Sequence, residues 1–131
     1  MIAVEVSNRS GVAIDEEGAS ALARSVLEAE GVDEGELGLL FVGPDEMRTL
    51  KREHLGVDEP TDVLSFPIDG RERLAPGLPR QLGDVVICPE LTGDVRAAVV
   101  HGALHLSGMD HEADEGEMLA LQAEILRWVA E

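Results

Sequence analysis

At 131 residues the chain is sized for one domain and long enough to bury a core without staples. Apolar residues make up 44%, which excludes compositional disorder, and a formal charge of −17 argues against a nonspecific nucleic-acid binder. No run approaches the roughly 18 apolar residues of a membrane span, and "MIAVEVSNRS" lacks the basic and apolar blocks of a signal peptide. The aromatics are only Trp128, Phe41 and Phe66, so the core must be aliphatic. A single cysteine, Cys88, cannot form an internal disulfide. It reads as a buried, inert thiol, and the whole as a soluble cytoplasmic protein.

"IAVEVSN" alternates Ile2, Val4 and Val6 against Ala3, Glu5 and Ser7, the pattern of a half-buried first strand. A helix follows from about Asp15 to Glu30, with Leu22, Val26 and Leu27 at helical spacing, acidic residues at its positive end and Gly31 as a stop. "ELGLLFVG" is a second strand. "PDEMRTLKREHL" is a second helix, opened by Pro44 and Asp45, with Met47, Leu50 and His54 or Leu55 on one face. "TDVLSFPI", bounded by Pro60 and Pro67, is a third strand. "DGRERLAPGLPRQ" is a loop, and "LGDVVIC" a fourth strand stopped by Pro89. Helix returns from Leu91 or Thr92 through Leu106 and is broken by Gly108; a last helix spans about Asp114 to Val129. This order predicts one α/β domain: a small, four-stranded, mostly parallel mixed sheet packed by helices, with a metal site at the end of a central helix. Whether the strands flanking the 68–81 loop pair antiparallel or through a longer connection is left open by the sequence.

Three of the four histidines, His101, His105 and His111, fall in "HGALHLSGMDH". Residues four apart on a helix have Cβ atoms about 5–6 Å apart, so two imidazoles on one face can reach one ion at about 2.0–2.1 Å. Gly108 turns the chain, and His111 returns as a third ligand. Three protein ligands leave a fourth position for water, the pattern of a catalytic rather than a structural site. Imidazole ligands suit zinc, with nickel or another divalent ion as the alternative. Asp110 is placed to orient an imidazole from outside the ligand set, or lies on solvated surface. The spacing matches that of the metzincin proteases, which carry a glutamate base after the first histidine; here Gly102 stands there, which argues against peptidase chemistry.

"HGALHLSGMDH" resembles the signature of the YbeY-type family, bacterial metal-dependent endoribonucleases of rRNA maturation. "PTDVLSFPID" resembles the family's second signature, "LGDVVIC" the strand after it, and "MLALQAEIL" its closing helix. The resemblance implies a cytoplasmic, zinc-dependent, single-strand-specific endoribonuclease. It implies a role in 16S rRNA 3′-end maturation and ribosome quality control, with the ribosome or its small subunit as partner. It carries the ligand roles onto His101, His105 and His111. The family's usual arginine before the T-D-V-L-S-F segment falls at Leu55 in this chain, and the segment between Cys88 and His101 is short. Arg52, one turn earlier, can take that arginine's place, and less plausibly Lys51; both are equally read as solvated surface.

The general base is unknown. Asp62 and Asp84 are candidates by type alone. Ser65 borders the cleft or is an ordinary strand residue. Arg48, Lys51 and Arg52 on the second helix, and Arg71, Arg73 and Arg80 in the loop, make a basic groove if they face the metal. Two other classes compete: a ribosome-associated factor with a mainly structural metal, and a metal hydrolase acting on another phosphoester or an amide.

Overall fold

Strand β1 (Ile2–Asn8) turns Ile2, Val4 and Val6 toward the helices and leaves Ala3, Glu5 and Ser7 exposed, as the alternation requires. The computed structural model describes residues 2–69, 77–108 and 116–130. Helix α1 (Glu16–Ala29) starts where the Asp15 carboxylate accepts from the Gly18 amide at 3.0 Å, and it buries Leu22, Ala23, Val26 and Leu27. Strand β2 (Gly35–Phe41) buries Leu37, Leu39 and Phe41. Helix α2 (Pro44–Leu55) has Pro44 in its first turn and buries only Met47. Strands β3 (Val63–Pro67) and β4 (Gln81–Ile87) follow, then α3 (Val95–Leu106) and α4 (Glu117–Ala130).

The sheet order is β1-β2-β4-β3, with β1, β2 and β4 parallel. The expected mixed, mostly parallel sheet is therefore what forms. β3 pairs antiparallel with β4, Val63 opposite Ile87 and Pro67 opposite Gly83, which settles the open question of that pairing. A bulge interrupts the β2–β4 ladder: Gln81 faces Glu36, Gly83 faces Leu37, and Leu82 is the extra residue. Gly83 takes φ +128°, and a Cβ there would lie only 2.1 Å from the Phe66 carbonyl oxygen, so no other residue fits.

One sheet face carries the main core. There α3 packs against α1, α4, β3 and β4, with Val99, Val100, Ala103, Leu104 and Leu106 fully buried. Such side chains each contribute roughly 1.5–3 kcal/mol relative to exposure. The other face has a smaller cluster of Val42, Met47, Leu64, Val86 and the buried Cys88, closed by Leu50 of α2.

Helix α3 begins at Val95, later than the expected Leu91 or Thr92. Leu91 and Thr92 amides both donate to the Cys88 carbonyl in a turn. Asp94 then caps the helix by accepting from the Arg96 and Ala97 amides at 3.0 and 3.2 Å. At its other end Gly108 takes φ +104°, the conformation that lets the chain leave the helix.

Candidate functional site

Helix α3 is buried almost all round, yet His101 and His105 are each only partly buried. Both open onto a cleft of about 880 Å³ between α3, β3, the end of α2 and α4. Their ring centroids lie 4.8 Å apart at an interplanar angle of 68°. Small residues, Ala97 and Ala98, line the cleft one turn before His101 and leave room in front of the imidazoles. From α4, Gln122 reaches across so that its Oε1 lies 2.8 Å from His101 Nδ1.

Across the cleft stand Asp62, Val63 and Ser65 of the β3 segment, with Pro67 near its end. Ser65 is thus in the cleft wall, as is Asp62, whose carbonyl accepts from the Cys88 amide. Leu55 lies at the mouth and is 57% exposed.

Asp84 is not brought to the histidines. Its neighbour Val85 packs under Gly102 of α3, while the Asp84 carboxylate leans over Gly38 on the opposite sheet face. Arg52 is also not in the cleft wall. Its Nη1 lies 3.7 Å from Asp58 Oδ1, and Arg48 donates to the same carboxylate at 2.8 and 3.2 Å. The hydrogen bond from Arg48 is the first cause holding the Asp58 carboxyl below its ordinary value of 3.8, with the charges of Arg48 and Arg52 adding to it. The same contact raises the Arg48 guanidinium. Arg80 precedes β4 and is not in the cleft wall; Arg71 and Arg73 lie outside the described residues. Among the described residues, no lysine or arginine lines the cleft. Of the six residues that would make a basic groove if they faced the metal, the four described ones, Arg48, Lys51, Arg52 and Arg80, are not in the cleft wall. The fourth histidine, His54, packs on Phe66 with centroids 5.0 Å apart and lines a pocket on the other side of the sheet.

The departure at Gly102 has a steric cause. A Cβ on Gly102 would fall 2.3 Å from Val85 Cγ1, so a glutamate at this position would be driven into the sheet and away from the cleft.

The donor set fits a first-row divalent ion. Two imidazoles share one helix face, and imidazole nitrogens are the donor type such an ion takes. His111 and Asp110 lie outside the described residues. Among the described residues, no cluster of three or more His, Cys, Asp or Glu side chains is placed to hold a metal. A complete ligand set therefore needs His111 or a group like it.

A family model described as Endoribonuclease YbeY matches residues 5–130. The chain belongs to that family. An Endoribonuclease YbeY of Salinispora tropica is 37% identical over 148 aligned positions, covering 95% of this chain and 94% of the relative. One of Thermobifida fusca is 41% identical over 143 positions, covering 95% and 92%. Both alignments exceed this chain's 131 residues, so these relatives carry residues that it lacks. The solution structure of a Thermotoga maritima protein has the same fold, with a TM-score of 0.57 at 24% identity, covering 95% of this chain and 86% of that one. Among the described residues, no helix is long and apolar enough to cross a membrane.

Proposed function

We propose that this protein is a metal-dependent endoribonuclease that cuts single-stranded rRNA, with zinc as the resident ion and His101, His105 and His111 as its ligands. We assign it a role in 16S rRNA 3′-end maturation and ribosome quality control, in the cytoplasm, as the resemblance of its two signature segments implies. The observation that carries the reading is the pair of imidazoles one turn apart on α3, facing an open cleft, in a chain of the Endoribonuclease YbeY family.

When bound, the ion supplies Lewis acidity and lowers the pKa of water, which suits phosphodiester hydrolysis. This chain's own residues do the rest. The histidines hold the ion, and the packed helix behind them keeps both rings on the cleft face. β3 ends the sheet, so its outer edge offers backbone donors and acceptors to an extended single strand, with Ser65 adding a hydroxyl. Of the two carboxylates that are candidates by type, Asp62 lines the cleft and Asp84 does not, and we assign proton transfer to Asp62.

Phosphate contacts are the weak component. With Leu55 at the mouth and Arg48 and Arg52 held by Asp58, the protein alone binds RNA feebly. The ribosome or its small subunit then presents the substrate. That same observation favours a second reading: a ribosome-associated factor whose metal organises structure and cuts nothing.

The test is cleavage of a single-stranded rRNA fragment by metal-loaded protein beside His105→Ala. Cleavage by the first and not the second supports the proposal. Cleavage by both points to a contaminating nuclease. No cleavage by either, with stable ribosome association, supports the second reading.

A further inference from the structure

The contact between α4 and α3 beside the histidine pair points to a role for Gln122. Gln122 Oε1 lies 2.8 Å from His101 Nδ1, across 21 residues of chain. An amide oxygen only accepts, so a hydrogen bond in this contact requires the ring proton to be on Nδ1. A neutral imidazole has one N–H and one lone pair. With the proton on Nδ1, the lone pair is on Nε2, the ring nitrogen that does not meet Gln122. We propose that Gln122 is a positioning residue that selects the Nδ1–H tautomer of His101 and turns Nε2 toward the ion. This rests on the reading of His101 as a ligand.

The placement on α4 is not explained by packing. Met118 and Ile125 of the same helix are buried in the core, and Gln122 lies four residues after the one and three before the other, within the same apolar stripe. A leucine there would extend the stripe; instead the chain sets a polar amide in the half-buried position that meets the histidine. The amide also differs from the carboxylate that commonly backs a metal-bound imidazole. It gives direction without adding negative charge, whereas a carboxylate also raises the ligand's basicity.

Long-range proton–nitrogen correlation spectra of the metal-free protein read the tautomer directly, and His101→Ala assigns the His101 signals among only four histidines. The wild type is expected to show Nδ1–H at His101, Gln122→Leu a mixture or the reverse, and Gln122→Glu the wild-type tautomer, because a carboxylate accepts the same proton. Zinc affinity, measured against a chromophoric chelator, should fall roughly 10–100-fold in Gln122→Leu and hold or rise in Gln122→Glu. An Nε2–H tautomer in the wild type overturns the proposal. So does wild-type zinc affinity in Gln122→Leu, or an equal loss in both variants. If His101→Ala binds zinc as tightly as the wild type, it is the ligand reading that fails, and the tautomer spectra still report on the contact itself.

Discussion

The two helices that border the cleft are built on different principles. α3 is held by the core along most of its surface: its buried face carries seven residues, and its glycine is pressed against Val85. Its two histidines stand with Ala97 on the face that opens onto the cleft. α2 buries only Met47, and its basic side chains lie in solvent on Asp58. The contrast separates two tasks. Ligand geometry rests on core packing, which tolerates little change. The α2 wall rests on a surface helix, where a change at the 57% exposed Leu55 leaves the core untouched.

Substitution at Gly102 attacks the packed wall and should have the largest effect. Gly102→Ala forces a methyl against Val85, and overpacking of this kind costs about 1–3 kcal/mol. Gly102→Glu adds a buried, unpaired charge and should leave little folded protein, read by circular dichroism and chemical denaturation. A Gly102→Ala variant as stable as the wild type would show that the wall is looser than the contact with Val85 implies.

Leu55→Arg probes the open wall. It adds a cation at the cleft mouth without touching the core. RNA affinity should rise, and the slope of log affinity against log salt should steepen by about 0.7, one phosphate contact on a single strand. Unchanged binding at every salt concentration would mean that RNA does not pass Leu55. Thermal stability should be unmoved.

The smallest effect is expected from Asp58→Asn, which releases Arg48 and Arg52 from their shared carboxylate. RNA binding should strengthen modestly at low salt and converge with the wild type at high salt. Because pairing lowers the Asp58 carboxyl, its contribution to folding is present above the unfolded value. It is lost as pH falls through the lower folded one. A stability difference between wild type and variant should thus be confined to pH above the carboxylate range, and small there.

Much of this was legible in the sequence, for reasons that also explain the rest. His101 and His105 were readable because helical spacing converts directly into a shared face. Asp84 was misleading. Simple alternation sets it on the same side as Leu82, but the bulge at Leu82 and Gly83 shifts the parity, so Leu82 and Val85 share the core and Asp84 turns away. Strand pairing around the 68–81 loop was open because a connection's residues do not encode which neighbour its strands choose. The basic cluster on α2 was readable as a cluster, not as one already engaged by Asp58, ten residues from Arg48. Gln122 went unnoticed, although a signal existed: it is a polar residue inside the Met118–Ile125 stripe.

The central claim is that the α3 wall holds an ion and the α2 wall does not. It is tested most directly by elemental analysis of purified protein after loading and desalting. Wild type and Leu55→Arg should each retain one ion per chain, and His105→Ala should retain almost none while keeping its fold. Equal metal content in all three proteins would contradict the claim.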